Sequence, residues 1–556
     1  MKQRMVKILF SFIFLILLNS CGIQKSMEDR PDLTEMEQID TLRIRHNDSL
    51  FSIGRNSLFK NKYGIWELYV EGNPLELGML NGSLTRELKQ KQEHAIFERM
   101  ESQVPSGKYQ KFLGKVVAWF SRKMYLYIPE EYKAEIYGIS RFSSHKYDNF
   151  AAAYQRSLYL HGAHDIGHAL KDFMLVGCTS FAAWDSKTED GQLLLGRNFD
   201  FYVGDEFARE KIVAFINPDQ GHKFMMYTWG GMIGAVSGMN EKGISVTINA
   251  GKSKIPLLAK TPISLVAREI LQYAGNTQEA IEIARKREVF VSEAIMVGSA
   301  SERKAILIEV STKNFGVYQV GNSNQLICSN HFQSEAYAED RRNLKTIEES
   351  HTEYRFKRME ELLQQNDALT PEKAAAILRN RDGLNETKIG MGNEKALNQL
   401  LAHHGIIFKP EERKVWVSAN PYQLGAFVAY DLNEVFKKFE TGNVRQSVSI
   451  ESETIPEDSF VHTAAFQNYK EYRVLSELVS EAISSCEKIS EEKITKMIRL
   501  NPHYWEVYSL AGHYYYQQKK YKMAIVKFKQ AQSREITTLL DERNLEKIIR
   551  KSYRKL

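Results

Sequence analysis

Between residues 176 and 250 the chain is written as a succession of short β-rich runs, each stopped by a turn signal: TSFAAWD, QLLLGRNFDF, KIVAFINP, HKFMMYTW, GAVSGM and GISVTINA. Several stand at hairpin distance, with Asp190-Gly191 as one of the turns. So many apolar strands in sequence must pair antiparallel and then be covered, and the covers are at hand. Residues 84–175 and 335–380 read as mostly helical, and Thr261 before Pro262 marks the start of a helix over 261–287. Further strands are expected at 294–298, 304–310, 315–319 and 325–329, and a pair, RKVWVSA and AFVAYDL, closes this part near 432. The pattern predicts an α+β layered domain.

The ends differ in kind from this middle. Lys2, Arg4 and Lys7 precede an apolar run from Ile8 to Leu18, the layout of a signal peptide over 1–20. That run is shorter than the ~20 residues a bilayer-crossing helix needs. Leu18-Asn19-Ser20-Cys21 resembles a bacterial lipobox, which implies lipidation of Cys21, a tether over 21–59 and a place in the bacterial cell envelope, membrane-attached outside the cytoplasm. A plain secreted protein is the other reading of the same residues. At the carboxyl end, residues 460–556 are helical, and from Trp505 the segment YSLAGHYYYQQKKYKMAIVKFKQAQ resembles a tetratricopeptide unit. Tyr508, Ala511, Gly512, Tyr515, Tyr521, Ala524, Phe528 and Ala531 fall at that repeat's packing positions. One unit cannot bury its own face, so it packs on its neighbours, with 465–500 as a degenerate mate. A protein partner and simple helical packing are both open for this region.

Charge decides one question. The net +6 is held by three cations in the first twenty residues and a net +7 in 501–556, which leaves the middle at about −4. Nucleic acid is excluded as a partner on charge. The four cysteines, at 21, 178, 328 and 486, are too scattered for a disulfide scaffold. Cys328 and Cys486 read as inert thiols.

The chemistry gathers around Cys178. Gly177-Cys178-Thr179-Ser180 leads into a strand, a turn and a second strand ending Gly196-Arg197-Asn198-Phe199-Asp200. GGMIGAVSGMNEKGISVTINAG (230–251) carries Asn249, and Ser329-Asn330-His331-Phe332 carries Asn330. Upstream stands EGNPLELGMLNG (71–82). Over roughly 60–435, this order resembles the N-terminal-nucleophile (Ntn) hydrolases of the choloylglycine hydrolase and acyl-coenzyme A:6-aminopenicillanic acid acyltransferase group. The resemblance implies a four-layer αββα sandwich over 60–440, divided into 60–177 and a catalytic part 178–440. It also implies Cys178 as a nucleophile that becomes a chain terminus.

A terminal cysteine brings its own base, because an α-amino group titrates near 7.7–8.0. The resemblance gives Asp200 the task of holding that amine or the thiol. Arg197, a fixed cation, is expected to favour the thiolate, or else to ion-pair with Asp200. Asn249 and Asn330 are expected as donors to an oxyanion and partners to the amine. Glycine at 177 is expected to tolerate the strained backbone from which the thiol attacks the preceding carbonyl. The expected function is thus an autoproteolytically activated cysteine amidohydrolase or acyltransferase acting on a small-molecule N-acyl amide, with no cofactor and no metal. Phe199, Phe201, Tyr202, Tyr227 and Trp229 suit an apolar acyl chain or simply a core. His161, His164, His168 and Asp165 could share a helical face as a zinc site, or shape the mouth of the active site. The alternative function is a non-catalytic membrane-anchored lipoprotein scaffold that recruits a partner through its C-terminal helices.

Overall fold

The computed structural model describes residues 21–33, 39–103, 106–162, 175–254, 256 and 258–556. Among the described residues the strands, numbered along the chain, form two large sheets and one small one. The eleven-stranded sheet runs β1 (Ile44–Asn47), β2 (Leu50–Ile53), β3 (Asn56–Lys60), β4 (Trp66–Gly72), β9 (Ile212–Pro218), β10 (Phe224–Thr228), β11 (Ser237–Asn240), β12 (Ile244–Ala250), β13 (Glu293–Ser299), β14 (Lys304–Val310) and β15 (Phe315–Tyr318). The seven-stranded sheet runs β16 (Gln325–Cys328), β6 (Thr179–Ala183), β7 (Leu194–Phe199), β17 (His404–Lys409), β18 (Lys414–Ser418), β19 (Phe427–Asp431) and β20 (Ile450–Ile455). β5 (Leu175–Val176) pairs with β8 (Phe201–Tyr202). All these pairings are antiparallel except β4 with β9, where Trp66 lies beside Ile212 and Gly72 beside Pro218.

Side chains alternate across these strands, and in central strands such as β6, β7, β10, β12 and β13 both faces are buried, which is why these read as nearly continuous apolar runs. Met225 and Tyr227 of β10 meet Ala182, Leu195, Ile406 and Val428 of the other sheet in one core. Their neighbours Phe224 and Met226 turn outward onto the helices Pro74–Leu84, Glu130–Ser140 and Ile263–Tyr273. On the far side of the seven-stranded sheet, Phe181, Ile407 and Trp416 pack on the helices Thr352–Gln365 and Pro371–Leu378. Asn73 caps the helix Pro74–Leu84 with its side chain while Glu76 returns the bond, which accounts for the Gly-Asn-Pro start of that motif.

Several boundaries differ from the sequence reading. Residues 44–59, assigned there to the tether, form β1, β2 and all but the last residue of β3, because Leu50, Ile53 and Leu58 bury against the sheet. The helix expected over 261–287 is two, Ile263–Tyr273 and Thr277–Lys286, with Asn276 capping the second. β17 and β20 were not foreseen, so the sheet ends at Ile455 rather than near 432.

The C-terminal region is a set of helices: Ala464–Ser485, Glu491–Leu500, Trp505–Gln517, Tyr521–Gln532 and Leu539–Tyr553. Gly512 sits under the Phe528 ring so closely that a Cβ there would lie 2.5 Å from it, which is how the third and fourth helices meet. Their shared core also takes in Leu400 and Leu424 of the preceding part. No helix of the described residues is long and apolar enough to cross a membrane. The signal-like residues 1–20 lie outside them, and Cys21 opens a short helix, Cys21–Glu28.

Candidate active site

Gly177 and Cys178 link β5 to β6, and the β6–β7 hairpin lays them against the residues that follow β7. Register sets Thr179 opposite Asn198 and Ser180 opposite Arg197, so Cys178, Ser180, Arg197 and Phe199 share the face toward the larger sheet. The Gly177 N–H donates to the Asp200 carbonyl at 3.2 Å. The Asp200 backbone N–H in turn offers a hydrogen bond to the Cys178 thiol.

Arg197 is fully buried, and one Nη2 lies 3.7 Å from the Cys178 sulfur. The rest of its fork is spent on carbonyls and a hydroxyl: Nη1 donates to Val236 O and Ser237 Oγ, and Nη2 to Ile248 O. Its guanidinium also stands over the Phe199 ring, 4.2 Å from the centroid. The alternative of an Arg197–Asp200 ion pair is not what forms, since neither Asp200 carboxylate oxygen has a hydrogen-bond partner among the described residues. Burial of that carboxyl raises its pKa to about 7 despite the neighbouring Arg355 and Arg197. Burial likewise pushes the Cys178 thiol up to about 11; Arg197 pulls it down, and Asp200 and Glu293 push it up. Arg197 thus favours the thiolate, but in the uncleaved chain desolvation exceeds that one favourable charge and keeps the sulfur protonated.

Asn249 and Asn330 both reach this neighbourhood. Asn249 Oδ1 accepts from Ser180 Oγ at 2.8 Å, and its Nδ2 donates to the carbonyls of Cys328 and Ser329 at 3.3 and 3.5 Å. Asn330 Nδ2 donates to Ala250 O, and its Oδ1 accepts from Arg355 Nη2 at 2.6 Å. Cys328 is buried beside them, its thiol held up by desolvation.

Three residues of the site went unread in the sequence. Arg355, from the helix Thr352–Gln365, donates to Cys178 O at 2.8 Å and to Thr179 Oγ1 at 2.6 Å. Glu293 opens β13 beside Ala250 and brings a second buried carboxylate near the thiol. Gln399 donates from Nε2 to the Gly177 carbonyl at 3.0 Å. The backbone of Gly177 is outside the left-handed region, which corrects the reason given for glycine there. A Cβ at 177 would stand 2.3 Å from Gln399 Nε2, so glycine is needed to admit that amide.

Of the aromatic residues, Phe199, Phe201 and Trp229 stack on one another in the core cluster that holds Cys178. Tyr227 is an inter-sheet core residue with its hydroxyl on Ser418 O. His161 is buried with Nδ1 against Ser157 O and Nε2 accepting from the Ile233 N–H. Both its nitrogens are occupied, whereas His164, Asp165 and His168 lie outside the described residues.

Residues 186–421 match the family model of acyl-coenzyme A:6-aminopenicillanic acid acyl-transferase, a span that begins just after Cys178 and includes Arg197, Asp200, Asn249, Asn330, Arg355 and Gln399. A protein of Archaeoglobus fulgidus described as uncharacterized is 27% identical over 281 residues, covering 46% of this chain and 45% of its own. Protein dcd1B of Dictyostelium discoideum is 23% identical over 285 residues, covering 48% and 53%. The chain thus spans about half the length of the curated relatives it matches. Among solved structures, a Caenorhabditis elegans ortholog of N-acylethanolamine-hydrolyzing acid amidase aligns with 42% of this chain and 93% of its own, at 17% identity and TM-score 0.30. A variant of conjugated bile acid hydrolase from Clostridium perfringens aligns with 49% and 98%, at 16% identity and TM-score 0.31. The likeness to the acyl-transferase family is therefore carried by residues 186–421, the stretch that surrounds Cys178 with its charged and amide neighbours.

Proposed function

We propose that this chain is an Ntn-type cysteine amidohydrolase or acyltransferase, activated by cleavage of its own Gly177–Cys178 bond. The observation that carries the reading is the buried, partnerless Asp200 carboxylate beside a buried thiol. An unpaired carboxylate in a dry site is costly. Cleavage would create an α-ammonium at Cys178 able to hydrogen-bond that carboxylate, which among the described residues Arg197 and Arg355 reach only through space.

The steps balance without a cofactor. Asp200 takes the thiol proton, and sulfur adds to the Gly177 carbonyl carbon through a five-membered ring. The C–N bond then breaks, the nitrogen takes up the proton, and a thioester remains. Water adds to the thioester and splits C–S, leaving a Gly177 carboxylate, a Cys178 amine and a restored thiol. In turnover the α-amine serves as base, sulfur attacks the acyl carbon of an N-acyl amide, the amine product leaves, and water or a second amine takes the acyl group. Asn249 and Asn330 would serve the oxyanion by turning N–H groups now spent on backbone carbonyls toward it, and one such donor is worth about 3 kcal/mol. Arg355 would hold the Cys178 carbonyl while the bond on its other side breaks. The stacked Phe199, Phe201 and Trp229 support an apolar acyl part.

The wider reading follows the same lines. The core clusters on three levels support a four-layer αββα sandwich, with 178–440 as the catalytic part and a tetratricopeptide-like region behind it. The lipid anchor at Cys21 and the envelope location rest on residues 1–21 alone. The test is intact-mass measurement of the purified chain, before and after incubation with a panel of N-acyl amides that includes N-acylethanolamines and bile-acid conjugates. Fragments 21–177 and 178–556 and an acyl adduct on Cys178 are expected, and Cys178→Ala should lack both. An uncleaved chain with no adduct from any amide would favour the scaffold reading.

A further inference from the structure

Gln399 belongs to none of the steps above, yet it touches the bond that breaks. Its Nε2 donates to the Gly177 carbonyl oxygen at 3.0 Å, and the side chain is only 2% exposed. When sulfur adds to that carbonyl, the oxygen takes the electron pair of the C=O bond. A neutral amide donor already in place can hold the resulting charge without giving up its proton, and in a dry site such a donor is strong.

What holds the amide there is a loop, 389–400, gripped from two sides. On the inner side Asn198, the residue between Arg197 and Phe199 on β7, donates to Leu397 O at 2.9 Å. The Asn398 N–H donates to Asn380 O at 2.8 Å. On the outer side the C-terminal helices take over. Asn501 and Met391 exchange a reciprocal pair of bonds, Met391 N–H to Asn501 Oδ1 at 3.0 Å and Asn501 Nδ2 to Met391 O at 2.8 Å. Asn393 Nδ2 donates to Glu535 O, Lys395 ion-pairs with the Glu535 carboxylate, and the Tyr469 hydroxyl donates to Leu400 O, one residue beyond Gln399.

The geometry points to Gln399 as the oxyanion donor for self-cleavage at Gly177–Cys178, kept in place by the C-terminal helices through the 389–400 loop. This rests on the reading that the chain cleaves itself. On it, the C-terminal region acts within its own chain, as a support for maturation. The electron pair that moves onto the Gly177 oxygen is held by the Gln399 N–H and returns as the C–N bond breaks. The proton on the departing nitrogen is the one the thiol gave up, and Gln399 exchanges none.

The test follows cleavage of the full-length chain after cell-free synthesis is stopped, by intact mass over time, with Cys178→Ala as the uncleavable reference. Gln399→Ala should slow cleavage about a hundredfold. Gln399→Glu keeps the shape, loses the neutral amide donor and decides the matter should the alanine variant fail to fold. Asn501→Ala should slow cleavage several-fold alone and add nothing in the Gln399→Ala background, a non-additivity that a merely structural role would not produce. If the parent chain cleaves and the folded Gln399 variants keep pace within threefold, the donor assignment falls while self-cleavage stands. Equal slowing by Asn501→Ala in both backgrounds removes the C-terminal grip. A parent chain that stays whole overturns both this assignment and the reading beneath it.

Discussion

Asp200 and Gly177 show how much a single residue's surroundings decide. Burial holds the Asp200 carboxyl near 7, so below that pH it is protonated and cannot take the thiol proton, and above it the base is present. Self-cleavage should therefore rise as pH passes through about 7, and Asp200→Asn should lose that rise; a rate profile from pH 5.5 to 8.5 checks it. Gly177→Ala is sterically open at its own backbone but would displace the Gln399 amide. Cys178, Arg197, Asp200, Asn249 and Asn330 could be picked out beforehand because ordered motifs surround them. Arg355, Glu293 and Gln399 could not: one sits on an ordinary charged helix, one opens an apolar strand, and one lies in a loop with no pattern. The pairing of β12 with β13, the packing of the helix Thr352–Gln365 and the 389–400 loop bring Glu293, Arg355 and Gln399 respectively to the site.

At the scale of elements, alternation and turn signals were enough to locate most strands around the β6–β7 hairpin and to foresee an α+β layering. They failed for β1–β3, whose short runs are polar at their tips, and for β17, where His403-His404 masks the start of an apolar strand. Those two histidines are buried, with His404 against Ser237, the hydroxyl that Arg197 grips. In the C-terminal region Ala511, Gly512, Ala524 and Phe528 are buried where two helices meet, while Tyr521 of the same spacing is half-buried. Phe528→Ala should remove about 3–5 kcal/mol from that pair, opening a cavity under Gly512. Limited proteolysis should then cut within 505–532 well before it cuts the sheets.

For the whole molecule, the decisive pairing is β4 with β9. After cleavage the larger sheet would be built from two chains, with β1–β4 from one and the remaining strands from the other. The helices Pro74–Leu84 and Glu130–Ser140 add their share of the outer core from the same first chain. Fragments 21–177 and 178–556 should therefore co-elute in gel filtration under native conditions and separate only in denaturant.

That parallel pairing also sets an order of events during synthesis. When residues 66–72 leave the ribosome their only partner on one side has yet to be made, and a long, largely helical stretch must emerge before Ile212–Pro218 can slot beside them. Until then β4 is an open edge, and no active-site geometry exists for the thiol to use. If the Gly177–Cys178 link is cut as proposed, making both halves as one polypeptide lets each open edge meet its own complement, one to one, beforehand.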